Sequence, residues 1–401
     1  MIQTVVSNAS APEYGQATIS FPIREEDYPS VVNMLQRMGL GDPLERDCRV
    51  DEVCGNWPIL KRLEKVAINL DEMDYLAKRL DSFDAQEKAK FQAAAVRFGL
   101  FDMRHLIDLT FCCQETTVIT DFSDLEKVGR RHYLDVNGSS APSEELENVD
   151  GYETALLLIG DGDGTITPYG VIYDNGMQLR PVYDGQNFPL YQHQDAVLVL
   201  GLTHESDLDM NSATTWLFLP ASAERLERAL KRGGFEPGSS IHCTCVGGNI
   251  QEELEARLNF ERESLKDLNT FASAIASIDE AQRAKFKAVI QMANPQSATE
   301  MTALAQNLDL FDFVPGVHSP REYGEFMIRE SGHFDLDDDL APFIDYEAYG
   351  QKEINAENGA FNEQGYVVYR GVQRLKDLMR EGPAKPLDSL LTGLRLNLKG
   401  P

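Results

Sequence analysis

The chain has 401 residues, 42% of them hydrophobic, a composition that predicts buried cores and excludes a globally disordered protein. Its 65 acidic and 37 basic residues give a formal net charge of −28, which disfavours nucleic acid and anionic membranes as partners and favours basic proteins. The sequence contains no run of about 18 apolar residues, so no membrane span is expected. The opening residues do not resemble a secretory signal. The six scattered cysteines are typical of reduced thiols, so we expect a cytoplasmic protein.

The first section, residues 17–135, begins with a predicted strand, a proline, an acidic turn and a helix, in the stretch ATISFPIREEDYPSVVNMLQRMG. A further strand is predicted near 46–53. The next stretch, LDEMDYLAKRLDSFDAQEKAKF from Leu70 to Phe91, has apolar residues at helical spacing and then restarts at Asp84. Because Glu87 follows Asp84 by three residues, the pattern is that of a capping box and predicts a helical hairpin.

The middle section, residues 136–212, is predicted to be an acidic linker followed by a small antiparallel β unit. Its acidic part has seven acids and no base between Glu144 and Asp163. Short β-branched runs then alternate with GDGDG, DNG and DGQN, which are hairpin signals. GDGDGT also resembles the opening of a calcium loop, but Ile166 and Ile172 stand where such a loop needs Gly and Glu, so a hairpin turn is favoured.

The second section, residues 213–372, repeats the pattern of the first. TTWLFLPASAERLERALKRGGFE predicts a strand and a helix, a strand is predicted near 240–246, and LKDLNTFASAIASIDEAQRAKF from Leu265 predicts a hairpin whose second helix begins at Asp279. At an offset of 195, ten of the 60 positions 70–129 are identical, among them Asp84/Asp279, Phe91/Phe286 and Gly129/Gly324. The matching caps and apolar positions predict a duplicated module.

Near its end, the second section contains the acidic stretch HFDLDDDLAPFIDYEAYG, which has no Lys or Arg. The chain then changes sign: from Arg370 onward there are seven bases and three acids, so residues 1–369 carry −32. The last residues, 373–401, are interrupted by Pro and Gly and are predicted to be a flexible basic tail. The predicted fold class is α+β, an elongated multi-module chain of small antiparallel sheets and helical hairpins.

Signatures of catalysis are missing from the sequence: there is no nucleophile elbow, no phosphate-binding loop and no His-Glu-x-x-His pair. His242, Cys243 and Cys245 could hold a soft metal, but their alternation suits a β-strand, and no second ligand pair accompanies them. An enzyme or metalloprotein that uses these residues remains an alternative. We expect a non-enzymatic protein without cofactor or metal.

Several of these stretches resemble the ArdA family of antirestriction proteins: TTWLFLPASAERLERAL, SLKDLNTFASAI, AQNLDLFDFVPGVHSPREYGEFMI, IDYEAYG and GYVVYRG. The resemblance covers about 214–371. Residues 17–135 look like a shorter, partial copy that lacks the acidic IDYEAYG element. ArdA chains are usually single modules of under half this length, so the two copies and the basic tail depart from the family pattern.

The resemblance implies inhibition of type I restriction–modification enzymes by a protein that mimics bent duplex DNA. It implies dimerisation, binding to the methyltransferase and specificity subunits where DNA would lie, no direct binding of nucleic acid or membrane, no catalytic residues, and carriage on conjugative plasmids and transposons. Charge supports mimicry, because 28 excess charges match about 48 Å of duplex at one charge per about 1.7 Å.

We hypothesise that exposed carboxylates contact the partner. The first set is Asp335, Asp337, Asp338, Asp339, Asp345 and Glu347, and the second set, which the resemblance does not support, is Glu144, Glu145, Glu147 and Asp150. Asp84 and Asp279 are interpreted as helix caps, and Tyr346 and Tyr349 are expected to pack. The alternative function is a scaffold or regulator of a mobile element that binds another basic, DNA-handling protein.

Overall fold

A computed structural model describes residues 1–137, 141–191, 196–204, 214–236, 239–260, 262–331 and 343–380. These residues form two compact units. The first contains the described residues of Met1–Tyr191 and Ser222–Phe235, and the second those of Gln192–Ala221 and Glu236–Pro401. Helices and small antiparallel sheets occur in both units, which confirms the predicted α+β class.

The first unit has seven strands and eight α-helices within the described ranges. The strands are β1 (Ile2–Ser7), β2 (Gln16–Phe21), β3 (Cys48–Gly55), β4 (Ala67–Ile68), β5 (Thr117–Ile119), β6 (Thr165–Thr167) and β7 (Gly170–Tyr173). The helices are α1 (Tyr28–Arg37), α2 (Leu70–Asp81), α3 (Ala85–Arg97), α4 (Met103–Leu109), α5 (Leu125–Val136), α6 (Ser143–Asn148), α7 (Gly151–Asp161) and α8 (Ala223–Arg232).

The second unit contributes six strands and seven α-helices to the part of the chain that is described. Its strands are β8 (Leu198–His204), β9 (Thr215–Leu219), β10 (Ile241–Gly247), β11 (Phe311–Pro315), β12 (Ala360–Asn362) and β13 (Gly365–Tyr369). Its helices are α9 (Glu252–Glu255), α10 (Leu265–Ala276), α11 (Glu280–Ala293), α12 (Ala298–Gln306), α13 (Pro320–Glu325), α14 (Tyr346–Glu357) and α15 (Leu375–Arg380).

Each unit contains one sheet in which an early strand takes a central place. β1 lies between β2 and β3 in the order β2-β1-β3-β4, and β8 lies between β9 and β10. The predicted modules, 17–135 and 213–372, begin after these central strands and do not include them. The signal was available in the alternating β1 stretch IQTVVS, whose alternate residues are buried.

The two predicted pairs of consecutive helices are confirmed. α2 buries Leu70, Met73, Leu76 and Leu80 along one face, and α10 buries Leu265, Leu268 and Phe271 in the same way. Asp84 caps α3 through a capping box with Glu87, and Asp279 caps α11 by accepting a hydrogen bond from the Gln282 backbone N–H at 2.8 Å.

The middle section differs from its prediction. The apolar run TALLLIG, expected to begin a β unit, lies in helix α7. GDGDG joins α7 to β6 and is not a hairpin turn, whereas Pro168 and Tyr169 connect the β6–β7 hairpin. The apolar pattern did not predict a helix here, because the exposed side of α7 is as apolar as its buried side and no polar face marks the helix.

Helix α8 packs within the first unit through a row of arginines. Arg225 Nη1 lies 2.8 Å from Asp74 Oδ2, and its Nε lies 2.8 Å from Glu25 Oε2. One turn later, Arg228 pairs with Asp71 at 2.8 Å. Arg232 donates a hydrogen bond to the Pro43 carbonyl at 2.6 Å. Buried ion pairs of this kind add little net stability when complete, but removing one partner leaves the other charge buried and uncompensated.

Asp74 also fixes the turn after β2. Its Oδ1 accepts the Ile23 backbone N–H at 2.7 Å, and in the second unit Asn269 Oδ1 accepts the Ala221 N–H at 2.9 Å. Burial raises the pKa of the Asp74 carboxyl. Lys78, Arg225 and the Ile23 hydrogen bond together lower it by more than burial raises it, so the pKa lies below its ordinary value. The carboxylate therefore stays ionised beside its cations.

Asp74→Asn is expected to lower the free energy of unfolding by about 3 kcal/mol, because Asn keeps the acceptor for Ile23 but leaves Arg225 and Lys78 without the buried carboxylate. Urea unfolding followed by circular dichroism measures it. Glu25→Gln is the control, with an expected loss below about 1 kcal/mol since Glu25 is partly exposed. Equal midpoints for Asp74→Asn and wild type would refute the role of this carboxylate.

The same pair of proteins gives a pH test. Since the pKa of Asp74 is lowered on folding, its contribution is complete above the unfolded value of about 3.9 and is lost as the pH falls through the lower folded value. The stability difference between wild type and Asp74→Asn should stay constant from pH 7 to about pH 5 and shrink below about pH 4. A stability difference that shrinks as the pH rises would contradict the lowered pKa of Asp74.

Candidate partner-binding surface

The negative charge is concentrated in two stretches at equivalent places in the two halves. Residues 309–368 contain 14 acids and 3 bases, a net charge of −11, and residues 114–173 contain 12 acids and 3 bases, a net charge of −9. Together they hold −20 of the total −28. We call residues 114–173 the first acidic module and residues 309–368 the second acidic module.

The second acidic module is built on a three-stranded antiparallel sheet with the order β11-β13-β12. α13 and α14 pack beside it over a small core of Val317, Tyr323, Tyr366 and Val368. The rings of Tyr323 and Tyr366 lie 4.1 Å apart between centroids, and the Tyr323 hydroxyl donates to Glu357 at 2.8 Å. Arg370 joins Asp312 and Glu357 at 2.7 and 2.6 Å and ties the sheet to α14.

The first acidic module has the same plan. Its sheet has the order β5-β7-β6, and α5 and α7 occupy the places of α13 and α14 in chain order. The core is again small, with buried Ile119, Leu158 and Tyr173. The sequence analysis expected no counterpart of the IDYEAYG element here. The predicted partial copy ends at residue 135, and α7, which begins 195 positions before α14, lies beyond it.

A close helix crossing shapes both modules. A Cβ atom on Gly324 would overlap the carbonyl oxygen of Tyr346 and lie 3.1 Å from the Gly350 nitrogen. In the first module, a Cβ on Gly129 would overlap the carbonyl oxygen of Gly151 and lie 2.8 Å from the Ala155 nitrogen. The positions contacted are 195 residues apart in both cases. Only glycine allows the helix backbones to approach this closely.

This crossing positions the predicted carboxylates that the structure describes. Asp345 caps α14 by accepting from the Ala348 N–H at 3.0 Å, and Asp150 caps α7 by accepting from the Glu153 N–H at 2.9 Å. Glu347 lies on the first turn of α14 and is exposed. Glu144, Glu145 and Glu147 are exposed on α6. Asp335, Asp337, Asp338 and Asp339 lie outside the described residues.

The six described candidates carry uncompensated charge. Among the residues that the structure describes, no Lys or Arg lies within ion-pair distance of Asp345, Glu347, Glu144, Glu145, Glu147 or Asp150. Interior acids behave differently: Asp71 and Asp135 pair with Arg228 and Lys90 inside the fold. A negative surface of unpaired carboxylates attracts a basic partner, whereas the buried acids serve the fold.

The structure adds exposed acids that sequence reasoning did not single out. Glu322, Glu330 and Glu363 of the second acidic module are exposed, as is Asp121 of the first. The signal that would have found them is the net charge of a 60-residue window. Tyr346 and Tyr349 are half-buried, as expected, and Tyr346 accepts a hydrogen bond from Arg329 at 3.1 Å.

The alternative site at His242, Cys243 and Cys245 lies on strand β10, which confirms the predicted strand. Burial, with the neighbouring Cys245, raises the pKa of the Cys243 thiol to about 12, which opposes formation of the thiolate that binds soft metals. In the described ranges, His, Cys, Asp and Glu side chains form no cluster of three or more suited to a metal ion. None of the described helices is both long and apolar enough to cross a membrane.

Comparison with known families bears on this surface. Residues 211–368 match the family model of the antirestriction protein (ArdA). This section of the chain is similar to the ArdA family, and we call residues 211–368 the ArdA section. It contains the second acidic module and most of β13, so the acidic surface lies within the ArdA section. No curated protein matches the chain.

Gly324→Ala is expected to destabilise the ArdA section by roughly 2 kcal/mol, since the added methyl overlaps the Tyr346 backbone and forces α13 and α14 apart. Gly129→Ala should have the same effect in the first module. Thermal unfolding and hydrogen exchange of α14 amides measure the change.

The matched control is Gly160→Ala. Gly160 lies on α7, and an added Cβ would meet nothing within 4 Å. Alanine is the better helix former, so stability should stay equal or rise by up to about 1 kcal/mol. If Gly324→Ala proved as harmless as Gly160→Ala, the close crossing would not constrain the module.

Proposed function

We propose that this protein is an antirestriction protein that acts as a mimic of duplex DNA. It occupies the DNA-binding channel of a type I restriction–modification enzyme, at the methyltransferase and specificity subunits, and does so without catalysis. The observation that carries the proposal is the exposed, unpaired carboxylate surface of the second acidic module inside the ArdA section.

The charge of the acidic modules suits this role in magnitude. Duplex DNA has about one negative charge per 1.7 Å of axis, so the −11 of the second module equals the charge of about 19 Å of duplex. The −20 of both modules equals about 34 Å, or roughly one helical turn. An enzyme that binds DNA by neutralising phosphates presents Lys and Arg side chains that these carboxylates can neutralise instead.

We also propose that the chain contains two ArdA-like copies that are more nearly complete than the sequence analysis expected. Support comes from the matching sheet orders, the equivalent glycine crossings and the caps Asp150 and Asp345, which are 195 positions apart. The second copy is the one expected to contact the enzyme directly, because its module is the more acidic and lies in the ArdA section.

Neutralising the six first-set carboxylates together should weaken inhibition by about tenfold to hundredfold, at several tenths of a kcal/mol for each charge. The variant is Asp335→Asn, Asp337→Asn, Asp338→Asn, Asp339→Asn, Asp345→Asn and Glu347→Gln. Asn caps a helix as well as Asp, so the change at Asp345 removes charge and keeps the cap. The measurement is displacement of a fluorescent duplex from a purified type I methyltransferase at several salt concentrations.

The matched control neutralises Glu144, Glu145, Glu147 and Asp150 by the same changes and should have a smaller effect. Single substitutions should do little, because each exposed charge is screened over about 8 Å at physiological salt. Abolition of inhibition by one substitution with the fold intact would favour a local hot spot. If the wild type displaced no duplex from this enzyme, the target would be another basic, DNA-handling protein.

A further inference from the structure

Helix α7 of the first acidic module exposes an apolar face. Tyr152, Leu156 and Leu157 are 55%, 47% and 58% exposed, and Ile159 is 37% exposed. Ile166, on the adjoining strand β6, is 85% exposed. We call these five side chains the α7 apolar face. An exposed cluster of large apolar groups marks an interaction surface more often than a scattered single residue does.

The packing of the first module does not use this face. α7 buries Gly151, Ala155 and Leu158 against the rest of the module. Tyr152, Leu156 and Ile159 have the spacing i, i+4, i+7, which places them in one stripe away from the most buried positions. The face is therefore available for contact with another molecule.

The second acidic module shows that the fold does not require apolar side chains there. At an offset of 195, Tyr152, Leu156 and Leu157 correspond to Glu347, Gln351 and Lys352 on α14. The three α14 residues are exposed, and the two modules have the same sheet order and the same glycine crossing. At these three of the five positions the first module has apolar groups where its counterpart has polar ones, whereas Ile159 and Ile166 correspond to Ile354 and Phe361.

The surroundings of the face indicate the chemistry of its partner. Between residues 144 and 163 there are seven acids and no base, and Glu144, Glu145 and Glu147 on α6 are exposed. A second copy of this chain docked through the same face would place like-charged acids of the two copies beside each other. A basic surface with apolar side chains at its centre is complementary in both respects.

We propose that the α7 apolar face docks on an apolar patch surrounded by Lys and Arg on the enzyme that the acidic modules inhibit. This inference rests on the proposed function and adds to it a contact that duplex DNA cannot make. Carboxylates give binding that weakens with salt, and apolar contact gives binding that salt does not screen. The face therefore sustains binding at salt concentrations that release DNA from the enzyme.

The test variant is Leu156→Gln/Leu157→Gln, which makes both positions polar, as they are in α14. Its affinity for a purified type I methyltransferase should fall by about tenfold to hundredfold at every salt concentration, because two leucine side chains lose their apolar contact. The slope of log Kd against log salt should equal that of the wild type. Fluorescence anisotropy of labelled full-length protein measures both quantities.

Two controls accompany the test. Leu44→Gln removes a leucine of the first unit that is 50% exposed and lies outside the acidic modules, and it should leave affinity unchanged. Glu144→Gln/Glu145→Gln/Glu147→Gln removes rim charge and should reduce the salt slope. Equal thermal midpoints for Leu156→Gln/Leu157→Gln and wild type verify that the fold is kept.

The outcomes separate the two proposals. If the wild type binds the enzyme and Leu156→Gln/Leu157→Gln binds equally well, the docking proposal is wrong and the proposed function stands. A wild type that sediments as a dimer, with a monomeric variant of unchanged enzyme affinity, would assign the face to self-association and overturn the docking proposal. If the wild type does not bind the enzyme, both proposals fail.

Discussion

The acidic surface depends on two helix crossings that only glycine permits. In each acidic module one helix backbone lies against another at Gly129 or Gly324, and a single methyl group at either place would overlap a carbonyl oxygen. The cores beneath are small, with three buried hydrophobic residues in one module and four in the other. Close backbone contact therefore substitutes for a large core and leaves most side chains of these helices exposed. That is how about 60 residues can present a net charge of −11 and still pack.

The chain uses its acidic residues in two ways. In the interior of the first unit, Asp71 and Asp74 pair with the arginines of α8. Asp74 also accepts a hydrogen bond from the Ile23 backbone N–H, and Asp71 accepts one from the Tyr28 hydroxyl. In the acidic modules, the candidate carboxylates Asp150, Asp345 and Glu347 lie on helix caps or first turns, and no Lys or Arg of the described residues lies within ion-pair distance of them. The first arrangement fixes geometry at the cost of desolvating charge, and the second keeps charge hydrated and available to a partner.

Local signals in the sequence predicted much of the fold. Apolar spacing and caps predicted the hairpins at Leu70 and Leu265, and the offset of 195 linked the two halves. Local signals did not predict the features that depend on tertiary contacts. TALLLIG forms a helix although no polar face marks it, and nothing local shows that Arg225 and Arg228 meet Asp74 and Asp71, about 150 residues earlier in the chain. Of the candidate site residues, the sequence identified the acidic stretches, and the structure showed which described members are exposed and unpaired.

The central claim is that the carboxylates of the second acidic module take the place of DNA phosphates. The most direct measurement is a structure of this protein bound to a type I methyltransferase, compared with the same enzyme bound to duplex DNA. If these carboxylates replace phosphates, Asp345 and Glu347 will lie within ion-pair distance of enzyme Lys or Arg side chains that otherwise contact phosphate, and protein and duplex will never occupy one enzyme together. A complex that holds both at once, with the acidic modules facing solvent, would contradict it.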